Sequence, residues 1–209
     1  MQDETGTTLT HSDHDSPGGG AGDGAPAGAR RAPRTPATLI PFALVALVSL
    51  VADQGSKVWA LGSLDDGHVV PVLGDLLSLR LLRNPGAAFS IGDSFTLVMT
   101  ILAVGITAAV AVAAWRTASR RWAISLGLLF GGSLGNLYDR FFREPSPGRG
   151  HVVDFIDYAG FFVGNVADIA IVLGAIGLIW LTFTDVGLDG VKAGRHARND
   201  RTKGETADA

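Results

Sequence analysis

Two aspartates in the second half of the chain are the strongest candidates for chemistry. Asp154 lies in the segment His151-Val-Val-Asp-Phe-Ile-Asp157, and Asp168 lies in Asn165-Val-Ala-Asp168. When two carboxyl groups are held close together in a poorly solvated site, they cannot both ionise easily, so one keeps a proton that the other has lost. Such a pair can activate water as a base and protonate a departing amine as an acid. These residue types indicate aspartic peptide hydrolysis.

The chain must turn back between the two aspartates if they are to act together. Asp154 and Asp168 are 14 residues apart, and on one continuous helix they would be separated by roughly 21 Å. Gly160 and Gly164 permit such a turn. A lone carboxylate at a helix start is often only a cap, and this alternative applies to Asp168 taken alone.

Further polar residues lie near the outward ends of the apolar runs. Asp53 and Lys57 are four residues apart and can share a helix face; they either end the span as a snorkelling pair or support the site. Asn136 and Arg140 are also four apart, with Asp139 adjacent, and an Asp–Arg pair beside an asparagine favours a scaffolding role.

Other kinds of catalytic site are less well supported by the residues. The chain contains no cysteine, which excludes disulfides, zinc–thiolate sites and thiol nucleophiles. A metal site built from Asp139, Asp154, Asp157 and His151 is conceivable, but no ligand spacing supports it. We therefore predict neither a metal nor a cofactor.

The elements that must position these residues are long apolar runs. The chain is 47% hydrophobic, and the excess is concentrated in residues 37–52 (extending to about 61), 94–115, 122–138 and a part of 158–184. Runs of this length are typical of transmembrane helices, since lipid offers the backbone no hydrogen-bond partner. We predict a mainly α integral membrane protein with four transmembrane helices.

The distribution of Lys and Arg predicts the orientation. These residues are concentrated before the first run, between the second and third runs, and after the fourth, so that side is expected to be cytoplasmic. The predicted domains are a disordered cytoplasmic tail at 1–36, the membrane domain at 37–184 and a second disordered cytoplasmic tail at 185–209. The polar residues then lie towards the outer leaflet.

Two further patterns concern packing and the outer surface. Leu77, Leu79 and Leu81 alternate with polar residues, which predicts a small extracytoplasmic β-sheet between the first and second helices. Glycine recurs at every fourth residue in the third run, at Gly127, Gly131 and Gly135. Small residues at that spacing let another helix approach closely.

Five ordered segments together resemble a known family. They are Asp53-Gln-Gly-Ser-Lys57, Asn84-Pro-Gly-Ala-Ala-Phe89, Gly131-Gly-Ser-Leu-Gly-Asn-Leu-Tyr-Asp-Arg140, Val152-Val-Asp-Phe-Ile156 and Asn165-Val-Ala-Asp168. In this order they are similar to the signatures of bacterial lipoprotein signal peptidase, also called signal peptidase II. The resemblance covers roughly residues 38–184.

The resemblance implies an aspartic intramembrane endopeptidase of the bacterial cytoplasmic membrane. Such an enzyme removes signal peptides from diacylglyceryl-modified prolipoproteins, cutting before the lipidated cysteine. By motif match, Asp154 and Asp168 take the catalytic positions. The supporting or substrate-binding positions fall on Asp53, Lys57, Asn84, Gly86, Asn136, Asp139, Arg140 and Asn165. The expected partners are lipid-modified prolipoproteins and membrane lipid, with no nucleic acid, and the expected state is a monomer. The strand-like outer segment resembles the family's extramembrane cradle.

One departure from the family pattern concerns the last motif. An aromatic residue usually precedes the asparagine, but here Gly164 precedes Asn165 and Phe162 lies further back.

Two other classes remain as alternatives. A small transporter or ion-coupled carrier would also use intramembrane carboxylates, although the sequence has no evident internal repeat and no mid-span charge. A structural membrane protein with inert charges at its helix ends would leave the clustering of Asn, Asp and Arg unexplained.

Overall fold

The structure is a computed structural model that describes residues 36–64, 67–86, 92–184 and 187. Its elements, in chain order, are α1 (Pro36–Ser63), β1 (Val70–Leu73), β2 (Leu77–Asn84), α2 (Gly92–Arg116), α3 (Arg120–Phe142), β3 (Val152–Tyr158), β4 (Phe162–Gly164) and α4 (Val166–Phe183). The two predicted tails, 1–36 and 185–209, lie outside the described residues except for Pro36 and Gly187.

Helix α3 is the central helix, because it packs against each of the other three. Its glycines allow the close approach: a Cβ on Gly127 would lie 2.8 Å from the carbonyl oxygen of Phe42 in α1, and one on Gly131 would meet the carbonyl oxygen of Ala46. On another face, a Cβ on Gly132 would lie 2.6 Å from the carbonyl oxygen of Ala167 in α4. The predicted role of the glycine repeat in helix packing is confirmed.

Three of the described helices are long and apolar enough to cross a membrane. These are α1, α2 and α4, with stretches of 26, 21 and 18 residues and mean hydropathies of 1.7, 2.5 and 2.2. By length and hydropathy, the prediction of four spanning helices is thus confirmed for three of them and not for α3. Helix α3 has 23 residues but includes Arg120, Arg121, Asp139 and Arg140, and charges of this number lower its hydropathy.

The strands form one four-stranded antiparallel sheet in the order β1-β2-β3-β4. A sheet was predicted only between the first two helices, and this was too narrow, because β3 and β4 come from the connection between α3 and α4. Strand β2 has one more residue than β3 between the pairs Leu79–Ile156 and Leu82–Asp154. Such a bulge bends the strand and increases its twist.

The sheet is attached to α1 by a small hydrophobic cluster. Phe155 of β3 is 4% exposed and packs with Ala60 and Leu64, near the end of α1, and its ring lies edge-on to Trp59 at 6.2 Å. Burying a phenylalanine side chain contributes about 1.5–3 kcal/mol. Because neighbouring side chains on a strand point to opposite faces, this packing turns Asp154 to the other face.

Candidate active site

Asp154 lies near the start of β3 and is 2% exposed. Asn84, at the end of the adjacent strand β2, donates from Nδ2 to Asp154 Oδ2 at 2.8 Å. Asn165 donates from Nδ2 to the other oxygen, Oδ1, at 2.6 Å. Burial raises the pKa of Asp154 to about 6, although the two amide hydrogen bonds oppose the rise; the charge of Asp168 adds to it. The carboxyl group can therefore hold a proton near neutral pH.

Asp168 lies in the first turn of α4 and is partly exposed. It forms a capping box with Asn165, because its Oδ2 accepts from the Asn165 backbone at 3.0 Å and its own backbone donates to Asn165 Oδ1 at 3.1 Å. The other carboxyl oxygen, Oδ1, accepts from Asn136 Nδ2 at 3.0 Å. Asp168 is thus a helix cap, as the alternative held, and it also faces the polar network.

The two aspartates are joined through asparagines. Asn165 Nδ2 donates both to Asp154 and to Asn136 Oδ1, the second at 3.1 Å, while Asn136 Nδ2 donates to Asp168. Both aspartates line one cavity of about 250 Å³. The two carboxyl groups therefore lie at the edge of one small cavity, and each is held by an amide.

The turn that the pairing requires lies in the β3–β4 hairpin. Ala159 and Gly160 have φ values of 53° and 74°, and Asp157 Oδ1 accepts from the Gly160 backbone at 2.9 Å. The predicted turn is present, and Gly160 forms part of it. Gly164 does not, because it lies in β4 at the end of the hairpin, and the left-handed residue beside Gly160 is Ala159.

Lys57 is the centre of a polar group that we call the lysine cluster: Lys57, Asp53, Asp139 and Asn136. Its Nζ lies 2.8 Å from Asp53 Oδ2 and 2.8 Å from Asp139 Oδ2, and it donates to Asn136 Oδ1 at 3.0 Å. The side chains of Lys57, Asp53 and Asp139 are 0% exposed. Lys57 therefore does not snorkel to a surface, and of the two alternatives the support of the site is the one the structure favours.

The two carboxylates of the lysine cluster also hold the backbone next to each candidate aspartate. Asp139 Oδ2 accepts from the backbone of Val153 at 3.1 Å, and Val153 immediately precedes Asp154. Asp53 Oδ1 accepts from the backbone of Ala167 at 2.9 Å, and Ala167 immediately precedes Asp168. One lysine thus fixes the relative position of the two chain segments that carry the pair.

The predicted Asp139–Arg140 pair is replaced by a different pair. Asp139 Oδ1 lies 2.6 Å from Nε of Arg143, four residues along the same helix. Residues four apart on a helix are neighbours, whereas adjacent residues point in different directions. Asp139 is scaffolding as predicted, but its cationic partners are Lys57 and Arg143.

Arg140 lines the cavity, and Gly86 packs against its guanidinium group. Arg140 Nη1 donates to the carbonyl oxygens of Gly150 at 2.9 Å and Asn84 at 3.3 Å. Gly86 has a φ of 83°, and a Cβ there would lie 2.6 Å from Arg140 Nη2. The Gly86 backbone donates to Asn84 Oδ1 at 2.7 Å, which directs the Asn84 Nδ2 group at Asp154. Glycine at 86 is therefore required both by φ and by space.

The remaining acidic and metal-site candidates have separate positions. Asp157 Oδ2 lies 2.8 Å from Arg80 Nε on the neighbouring strand, and its other oxygen supports the hairpin turn. Within the ranges 36–64, 67–86 and 92–184, no group of three His, Cys, Asp or Glu residues is arranged to hold a metal ion. All ten residues predicted for the site lie in or around the Asp154–Asp168 network.

The sequence did not identify the apolar part of the cavity. Its lining includes Met99 and Ala103 of α2, Val152 of β3 and Phe162 of β4. Phe162 was noticed only as an aromatic lying further back than the family pattern expects. No spacing rule connects α2 with a hairpin that follows it only after the whole of α3, so only the three-dimensional structure brings these residues together.

Long apolar helices that position two carboxyl groups at one cavity are typical of the class of helical membrane enzymes. Two solved structures of that class are similar, both bacterial membrane enzymes determined by the in meso method. The one at 1.9 Å resolution has a TM-score of 0.58 and 29% identity, covering 69% of this chain and 93% of that chain. The one at 2.3 Å has a TM-score of 0.54 and 28% identity, covering 69% and 88%.

Sequence comparison gives the family. The family model for signal peptidase (SPase) II matches residues 45–184. The lipoprotein signal peptidase of Rhodococcus jostii is 45% identical over 72% of this chain and 76% of the relative. That of Mycobacterium avium is 41% identical over 81% of this chain and 92% of the relative. The chain belongs to the signal peptidase II family, and it is accordingly a protease.

Proposed function

We propose that this protein removes signal peptides from diacylglyceryl-modified prolipoproteins by aspartic hydrolysis, with Asp154 and Asp168 as the catalytic pair. Lipoprotein signal peptidases are its relatives at 41–45% identity, and the cut before the lipidated cysteine is what the family resemblance implies. The single observation that carries the catalytic assignment is the hydrogen-bonded path from Asp154 through Asn165 and Asn136 to Asp168 at the edge of one cavity.

The pair would work with one shared proton. The ionised carboxylate removes a proton from water as the water oxygen attacks the scissile carbonyl carbon, and the protonated carboxyl gives its proton to the carbonyl oxygen. In the second step the C–N bond breaks and the amine leaves with a proton, so that the products are a carboxylic acid and a free amino terminus. The raised pKa of Asp154 supports this cycle, because a carboxyl with a pKa of about 6 can hold the shared proton. Such pKa values belong to the pair as a unit.

The membrane placement belongs to the same proposal. We infer that α3 spans together with α1, α2 and α4, because it packs against all three and is 23 residues long, or about 34 Å. The distribution of Lys and Arg then puts both termini in the cytoplasm and the cavity near the outer leaflet. A substrate made of an apolar signal peptide and a lipid anchor reaches such a site from within the bilayer, and a monomer contains every residue of the proposed machinery.

The test is cleavage of a lipidated prolipoprotein by purified protein carrying Asp154→Asn or Asp168→Asn. Each variant is expected to lose at least about a thousandfold in kcat, because an amide can neither accept the water's proton nor return it. Asp75→Asn is the matched control, since Asp75 lies exposed between β1 and β2, and it should cleave normally. Wild-type rates in either site variant would rule out the pair. Cleavage that a chelator stops would favour metal-assisted hydrolysis instead.

A further inference from the structure

The ring of Phe162 occupies the space beside Gly164 that a side chain at position 164 would need. A Cβ built on Gly164 would lie 2.6 Å from Phe162 Cε1 and 2.9 Å from Asp168 Oδ2. Residues two apart on a strand share a face, so Phe162 lies over Gly164 from within the same strand, β4. The absence of a side chain at 164 is thus what lets an aromatic ring lie next to Asp168.

The hairpin holds this ring in place from the opposite strand. Tyr158 of β3 is the cross-strand partner of Phe162, and the two rings stack with centroids 5.9 Å apart and an interplanar angle of 21°. Aromatic cross-strand pairs of this kind stabilise a sheet. Phe162 nevertheless remains 54% exposed, so the hairpin fixes the position of the ring without burying it.

The cavity beside the two aspartates is lined by both polar and apolar side chains. Its polar lining consists of Asn84, Asn136, Arg140, Asp154 and Asp168, and its apolar lining consists of Met99, Ala103, Val152 and Phe162. The amides and charges of the polar part are engaged with one another. Phe162 lines the same cavity as Met99 and Ala103 of α2, so a ligand that lies against the carboxyl groups also meets apolar surface.

We propose that Phe162 is a specificity-determining contact that packs against an apolar group of the substrate next to the scissile bond, and that Gly164 is required to seat its ring. This inference rests on the proposed function. Two parts of the substrate could supply the apolar group, a side chain of the signal peptide or the acyl chains on the cysteine. Both are hydrocarbon, and the ring stabilises either by excluding water from it.

The first experiment compares Phe162→Ala with Phe161→Ala. Loss of one apolar contact with the substrate costs about tenfold to a hundredfold in kcat/KM, and if the contact acts equally in the bound and transition states the loss appears chiefly in KM. Phe161 is 94% exposed and is not among the residues that line the cavity, so its variant should behave as wild type. A merely structural role for Phe162 would instead lower kcat together with the thermal midpoint.

A double-mutant cycle tests the role of Gly164. In the wild-type background Gly164→Ala pushes the ring from its place and should lower kcat/KM about as much as Phe162→Ala does. In the Phe162→Ala background no ring is present to displace, so the second substitution should lower kcat/KM less than it does in the wild type, and the remaining loss is that due to the contact of the methyl group with Asp168 Oδ2. Equal, additive losses in both backgrounds would show that the two positions act independently and would overturn the seating of the ring by Gly164.

A substrate series distinguishes the two sources of the apolar group. One set varies the size of the apolar residue before the scissile bond, and a second varies acyl length. For the wild-type enzyme, kcat/KM should depend on either the size of that residue or the acyl length. The same dependence should disappear in Phe162→Ala. If Phe162→Ala keeps the wild-type kcat/KM and both sensitivities, the proposed contact is wrong. Failure of the proposed function would look different, because Asp154→Asn or Asp168→Asn would then still cleave.

Discussion

Asp154 and Asp168 are held in different ways although they belong to one network. Asp154 is buried on a strand and receives one amide hydrogen bond on each oxygen. Asp168 is partly exposed at a helix start, where one of its oxygens is occupied in the cap. Unequal surroundings of this kind separate the acid role from the base role in a carboxyl pair. The asymmetry has a consequence for pH dependence.

We predict that kcat/KM falls as the pH rises above about 6. The pair needs one proton, and the pKa of Asp154, raised by burial to about 6, marks where that proton is lost from the free enzyme. The measurement is a pH profile of kcat/KM on a lipidated prolipoprotein. A profile that rises steadily from pH 5 to pH 8 would contradict a shared proton.

The same group gives a matching expectation for stability. A carboxyl whose pKa is higher in the folded protein than in the unfolded chain binds its proton more tightly when folded, so its contribution is present at low pH and is lost as the pH rises through about 6. The loss is at most about 3 kcal/mol. Thermal midpoints between pH 4 and pH 7 should therefore fall more steeply for the wild type than for Asp154→Asn, which cannot titrate there.

At the residue scale, the types of site residue could be predicted but their partners could not. Asp53 and Lys57 were paired correctly because helical spacing relates them. The bond from Lys57 to Asp139 joins α1 to α3 across 82 residues, and no local rule relates such positions. Phe162 was likewise missed as a cavity residue, because its place depends on the glycine two positions later.

Among the elements, α3 depends most on close backbone approach. Its glycine-lined face packs against α1, and Gly131 meets the backbone of Ala46 there. Small residues are what allow such contact between membrane helices. The α1–α3 contact also brings Lys57 to Asp139, so the lysine cluster relies on the same glycines.

We predict that Gly131→Ala destabilises the protein by about 1–3 kcal/mol, because the added methyl group overpacks the α1–α3 contact. Gly105→Ala in α2 is the matched control, since nothing lies within 4 Å of a Cβ at that position. Alanine favours a helix over glycine by about 1 kcal/mol, so the control should be neutral or more stable. Thermal unfolding in detergent measures both, and equal midpoints for the two variants would contradict the packing role of Gly131.

The helices were predictable from the sequence, whereas half of the sheet was not. Apolar runs locate the ends of α2 to within a few residues, those of α1 likewise when the run is extended to about 61, and α4 only as a part of 158–184. Strand β3 gave no alternation of apolar and polar residues, because its first four residues are all buried, Asp154 among them. A strand covered on both faces has no period of two for a sequence to display.

At the scale of the whole molecule, the lysine cluster joins four elements at the site: α1, α3, β3 and the start of α4. Removing one partner of a buried ion pair is costly, about 3–5 kcal/mol. Replacing Asp53 or Asp139 by asparagine is a milder change than removing the side chain. It still costs stability, because both carboxylate oxygens accept from donors and the NH2 group of the asparagine would face one of those donors in either orientation.

We predict that Asp53→Asn and Asp139→Asn each lower kcat by roughly tenfold to a hundredfold through misplacement of one catalytic carboxyl. Hydrogen exchange should quicken at the Val153 amide in Asp139→Asn and at the Ala167 amide in Asp53→Asn, since each backbone N–H exchanges a carboxylate acceptor for the weaker oxygen of a neutral amide or for its NH2 group. Mass spectrometry of exchanged peptides resolves the two sites. Uniform quickening over all described helices would indicate general loosening and contradict selective positioning.

The hydrogen bond from Ala167 to Asp53 links positions 114 residues apart. Ribosomes make the chain from its amino terminus, so Asp53 is inserted long before its partner exists. Asp168, and the Ala167 backbone amide that donates to Asp53, are made only with the last helix. A nascent chain that has not yet reached residue 168 therefore lacks half of the proposed carboxyl pair. The proposed catalytic pair is thus complete only once the last helix has been made.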